Sequence, residues 1–225
     1  MPILRKTSPD SQDSHSLEQY IKPLFEKIEN KTECFQPTAS DLLRSEYVQG
    51  IVKTATDKFQ KNDTDGNGYL SETELQSAAT NLRTGEEREK WLALQKKVSE
   101  VAALSNDQLG PEWSGISLDD LAKLNQVAKC MPTAMASANA IRDVGLINWS
   151  QMMSGGSDRI YPQDFDAVFG RVKSASSCDW QALHAMQERY NEIRTGRRHW
   201  KSITYNDLDS YPAKVKGKFS LIFEL

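Results

Sequence analysis

Between Asp63 and Glu74 the chain runs Asp-Thr-Asp-Gly-Asn-Gly-Tyr-Leu-Ser-Glu-Thr-Glu, a stretch that leaves few choices for the fold around it. Short oxygen-bearing side chains alternate at Asp63, Asp65 and Asn67 and can turn toward one centre. Gly68 permits the left-handed backbone that carries the chain back around that centre. The Tyr69 carbonyl, the Ser71 hydroxyl (directly or through water) and the long Glu74 carboxylate complete an all-oxygen set. A hard cation such as calcium takes about six to eight oxygens of this kind. The expected metal ligands are therefore Asp63, Asp65, Asn67, Tyr69, Ser71 and Glu74. Leu70 is expected to point away from the ion into a core, with its backbone bridging to a partner loop.

Helical spacing flanks the loop on both sides. Leu43, Tyr47, Val48, Ile51, Val52, Ala55 and Phe59 lie on the entering pattern, predicted over 40–62, and Leu75 lies on the exiting one. With these flanks, Tyr47 to Leu82 resembles the EF-hand superfamily. The resemblance implies a helix–loop–helix unit that holds Ca2+. Such a unit cannot bury its apolar face alone, so copies are expected elsewhere.

The segment Leu70-Ser71-Glu72-Thr73-Glu74-Leu75 recurs as Ile116-Ser117-Leu118-Asp119-Asp120-Leu121, Ile160-Tyr161-Pro162-Gln163-Asp164-Phe165 and Ile203-Thr204-Tyr205-Asn206-Asp207-Leu208. The intervals are 46, 44 and 43 residues. Four units are expected, first paired with second and third with fourth, in two lobes with short β-bridges between paired loops. Counted back from the last acid, the early ligand positions hold Leu109, Pro111 and Trp113 in the second loop. They hold Met153, Gly155 and Ser157 in the third, and Gly196, Arg198 and Trp200 in the fourth. These side chains cannot replace a cation's hydration oxygens. Only the first loop is expected to bind, at one calcium per chain. Asp120, Asp164 and Asp207 are then expected to favour helix N-termini.

The chain is expected to be all-α. Further helices are predicted from Thr84-Gly85-Glu86-Glu87, read as a capping box, and over 117–129, 136–153, 162–172, 178–194 and 205–210. The expected organisation is a disordered leader at 1–15 and an amphipathic helix and loop at 16–37. Lobes at 38–130 and 131–215, packed together or joined near Lys129 to Ser137, and a tail at 216–225 follow. The helical stripe Leu17, Tyr20, Ile21, Leu24, Phe25 and Ile28 is read as a packing face, with a partner- or membrane-docking helix as the alternative.

A net charge of −3 with no strongly basic block argues against nucleic-acid binding. No apolar run is long enough to span a membrane and no secretory signal is evident, so a cytoplasmic, soluble protein is expected, with export by a non-classical route left open. The three cysteines, Cys34, Cys130 and Cys178, lie far apart and are expected as reduced thiols. No catalytic constellation or phosphate-binding loop is evident, so no enzyme is expected. The leading expectation is a calcium sensor or buffer, akin to the calmodulin-like or sarcoplasmic calcium-binding and calexcitin-like proteins. A protein partner would dock in an apolar groove or on the basic loop Arg194, Arg197, Arg198, His199 and Lys201. The alternative is a non-catalytic interaction or scaffold protein, in one variant a bacterial effector delivered to a eukaryotic host, in which calcium is mainly structural.

Overall fold

A computed structural model describes residues 34–105, 115–153, 158–172, 177–194 and 202–225. The leader and the stripe from Leu17 to Ile28 lie outside these residues. The described residues are mostly helical, with one two-residue pair of strands and one isolated bridge. They divide into two units: 51–126, and 34–50 with 127–225. This differs from the expected lobes in that the first half of the first helix belongs with the C-terminal residues. No described helix is long and apolar enough to cross a membrane.

In the unit formed by 51–126, α1 (Ala39–Asp57) reaches the candidate loop through a short α2 (Phe59–Asn62). The exit is α3 (Glu72–Thr80), followed by α4 (Glu86–Lys96) and α5 (Val98–Ala102). Ile51, Leu70, Leu75, Trp91, Val101 and Ile116 are fully buried or nearly so and form its core. Gly85 holds the N-cap of α4, so the capping box expected from Thr84 does not form. Leu43, placed on the buried stripe by its spacing, is instead 66% exposed.

The long α6 (Leu118–Ile147) runs without interruption through the expected joint at 129–137. Pro132 lies inside it. A proline there lacks the N–H that would bond the carbonyl four residues back, a defect costing about 3 kcal/mol in an ordinary helix. That carbonyl belongs to Ala128, and the buried Ser45 hydroxyl donates to it at 2.7 Å. Gln49 Nε2 donates in turn to Ser45 Oγ. The helix survives because another helix supplies the missing donor. Ser45→Ala leaves the buried Ala128 carbonyl without that donor, and is expected to lower unfolding stability by about 1–3 kcal/mol. Adding Pro132→Ala restores an N–H and should recover part of the loss, as read from urea midpoints.

In the second unit, a short α7 (Trp149–Met152) follows α6, and α8 (Asp164–Val172) follows a loop. Then come α9 (Ser177–Glu188), α10 (Tyr190–Ile193), α11 (Tyr205–Asp209), α12 (Tyr211–Lys218) and α13 (Ser220–Glu224). β1 (Arg159–Ile160) pairs antiparallel with β2 (Ile203–Thr204), setting Ile160 opposite Ile203. The C-terminal residues are no loose tail. Tyr211, Val215, Phe219 and Ile222 recur at helical spacing and are all buried, and Arg44 donates to the Ile222 and Phe223 carbonyls.

The expectation of three reduced thiols is overturned. Cys34 and Cys178 form a disulfide with Cα atoms 5.0 Å apart, across a separation of 144 residues. Wide spacing concealed the pairing because the contact exists only after the chain folds. Cys130 remains a thiol, and burial pushes its pKa up to about 12. His184 is a packing histidine, its ring 5.0 Å from Trp180 and 6.1 Å from Phe169.

Candidate metal centre

The loop is shaped by its own side chains. Asp63 is the C-cap of α2, its N–H donating to the Phe59 carbonyl. Its two carboxylate oxygens accept the Asn67 and Gly68 N–H groups at 3.1 and 3.0 Å. These bonds require the chain to double back, and Gly68 does so at φ 85° with Gly66 at φ 71°. Asp65 accepts from the Asn67 backbone and side chain. Asn67 Oδ1 accepts the Tyr69 N–H at 2.8 Å.

Glu74 closes the ring. One oxygen accepts the Thr64 N–H at 2.6 Å and the Thr64 hydroxyl at 2.9 Å. The other accepts the Ser71 N–H and hydroxyl at 2.9 and 2.8 Å. Ser71 is the N-cap of α3, and with Glu74 it forms a complete capping box. Burial raises the Glu74 pKa, but the bonds from Ser71 and Thr64 outweigh it and hold the carboxyl below its ordinary value.

One oxygen each from Asp63, Asp65 and Glu74 lies within 4.8 Å of the others. Asp65 is exposed, Asp63 and Asn67 are half-buried, and Glu74 is buried. Three carboxylates at this separation repel one another, and a shared cation relieves the repulsion. The donor set is all oxygen, which suits a hard cation. Ser71 stands beside Glu74 with its hydroxyl bonded to it. Thr64 was not among the expected site residues. Its signal was its place between Asp63 and Asp65, one step after the helix cap.

Leu70 is fully buried and bridges antiparallel to Ile116, as the repeat predicts. The Leu70 N–H donates to Ile116 O at 2.8 Å, and the Ile116 N–H to Leu70 O at 3.0 Å. The other units echo the first in two ways. Each entering helix breaks one turn before its loop, at Lys58, Lys97, Asn148 and Arg189, all with φ between −121° and −92° and ψ near 6–21°. Each loop's last acid also accepts the N–H of the residue three positions before it: Ser71, Ser117, Tyr161 and Thr204. Asp120, Asp164 and Asp207 are buried in that role.

The loops differ in length. Glu74 reaches back 10 residues to Thr64, whereas Asp120 reaches back 15 to Ser105 at 2.9 Å. The third loop matches the first, with Met153 capping α7 as Asp63 caps α2. In the fourth, Arg194 holds that cap and lies two residues farther from its acid. Counting twelve residues back from Asp120 and Asp207 therefore misplaces the start of the second and fourth loops. Leu109, Pro111, Trp113, Gly155, Ser157, Gly196, Arg198 and Trp200 lie outside the described residues, as does the basic loop beyond Arg194. Comparison with protein-family models, curated proteins and solved structures finds no match to this chain.

Proposed function

We propose that the chain binds one divalent cation, calcium, in the loop Asp63–Glu74 of an EF-hand-like unit, and serves as a calcium sensor or buffer. The observation that carries this reading is the convergence of the Asp63, Asp65 and Glu74 oxygens to within 4.8 Å of one another. Asn67, the Tyr69 carbonyl and Ser71 are the remaining proposed ligands. When bound, the ion neutralises the three carboxylates and clamps α2 to α3 through the loop. Calorimetric titration is expected to give one calcium per chain, and magnesium is expected to bind more weakly because it demands tighter octahedral geometry. A stoichiometry of zero or of two would refute the reading. Calcium at about a hundred times its dissociation constant should add about 2.7 kcal/mol of stability.

A second reading, an interaction protein with structural calcium, draws on one feature. Ser40, Leu43, Arg44, Tyr47 and Phe223 line an open groove of about 610 Å3, with Leu43 66% exposed. Calcium-dependent binding of an apolar dye favours the sensor. Dye binding that is independent of calcium favours the interaction protein.

A further inference from the structure

We infer that the segment from Gly115 to Asp120 is a brace for the proposed cation site, with Asp120 holding Ser117 to Ser105 and Gly115 letting the segment touch the first loop. The inference rests on cation binding at Asp63–Glu74.

Asp120 is fully buried and repeats the Glu74 pattern except for the hydroxyl bond at the loop's start. Its Oδ1 accepts the Ser105 N–H near the start of the loop. Its Oδ2 accepts the Ser117 N–H and hydroxyl, each at 2.9 Å, at the loop's end. The Asp120 carboxylate thus joins Ser105 to Ser117. Hydrogen bonds to a charged acceptor are the strong kind.

Ile116, next to the held Ser117, meets Leu70 through two backbone hydrogen bonds. That contact fixes Leu70 and Ser71, which separate the early ligands from Glu74. Its closeness depends on Gly115. A Cβ built there would lie 2.8 Å from Leu70 O, 2.9 Å from Leu70 C and 3.1 Å from Ser71 N. All three are backbone atoms, so no side-chain rotation relieves the contact. Any side chain at 115 must push the bridge apart and displace the segment that carries Ser71 and aims Glu74. A preordered loop also binds its ion with less ordering cost. Gly115 and Asp120 are therefore positioning residues that set the affinity of a site they do not ligate.

The test measures calcium affinity and stoichiometry by calorimetry for the full chain, Gly115→Ala, Asp120→Asn and Ser45→Ala. Gly115→Ala and Asp120→Asn are expected to weaken binding by about tenfold or more, the scale of outer-shell changes at metal sites. Stoichiometry should stay at one. Ser45→Ala destabilises the helix around Pro132, makes no hydrogen bond to either loop, and should leave affinity unchanged. Terbium luminescence lifetimes in H2O and D2O add a readout that destabilisation alone does not move. The loosened loop should admit an extra coordinated water in the two brace variants and not in Ser45→Ala. Should Gly115→Ala fail to fold, Asp120→Asn decides the matter. Unchanged affinity and hydration in folded brace variants would overturn the inference while leaving cation binding intact. A full chain that takes up no cation would overturn both.

Discussion

Glu74→Gln is expected to weaken calcium binding by about a hundredfold or more, or about 2.7 kcal/mol. The change removes one charge from the three carboxylates that converge on the site. It also replaces a carboxylate oxygen with an amide nitrogen that cannot accept from Thr64 or Ser71 and cannot coordinate a cation. Either way the amide turns, one end of the loop loses its tie. Calorimetry on the purified variant checks this, and unchanged binding would place the ion elsewhere. Acid should act in the same direction. The Glu74 pKa is depressed in the folded chain, so its contribution to stability is present above the unfolded-state value. That contribution is lost as pH falls through the lower folded value. Calcium affinity is expected to fall over the same range as Glu74 protonates.

Removing the disulfide with Cys34→Ser and Cys178→Ser is expected to cost about 5 kcal/mol by the chain-entropy relation for so long a loop, at the upper end of the range for native bridges. The separation of 144 residues makes this large, because the bridge removes many open conformations from the unfolded chain. Thermal unfolding of oxidised and reduced wild-type protein against the double variant measures the effect. Alkylation provides the structural check. The native oxidised chain should take up no label, because Cys130 is buried with its thiol strongly disfavoured from ionising. Denatured and unreduced, it should take up one label, and after reduction three.

Much of the candidate site was legible because its information is local. Asp63, Asp65 and Glu74 meet since alternate residues of one tight turn face one centre, and Gly66 and Gly68 supply the positive φ. The pairings Leu70 with Ile116 and Ile160 with Ile203 were legible for a different reason. An apolar residue followed by a capping acid at fixed spacing marks where a loop turns into a helix, and the pattern recurs along the chain. What the pattern could not report was loop length. Extra residues between the entering helix and the bridge leave the acid and the apolar residue in register with each other, so the second loop starts earlier than Leu109, at the helix cap Ala103.

By itself, then, the sequence determined the helical class, the oxygen cluster and the partner of each bridging residue. All three follow from periodicity and side-chain chemistry within one turn or one repeat. Only the tertiary structure decided the disulfide, the unbroken helix through Pro132, the exposure of Leu43 and the burial of the last helices. Each of these depends on a group brought in from elsewhere. Cys178 meets Cys34, and Ser45 answers the carbonyl that Pro132 abandons. Phe223 and Arg44 join Leu43 at an open groove. The free energy of such contacts belongs to pairs of residues far apart in the chain, so neither member carries a local sign of the other.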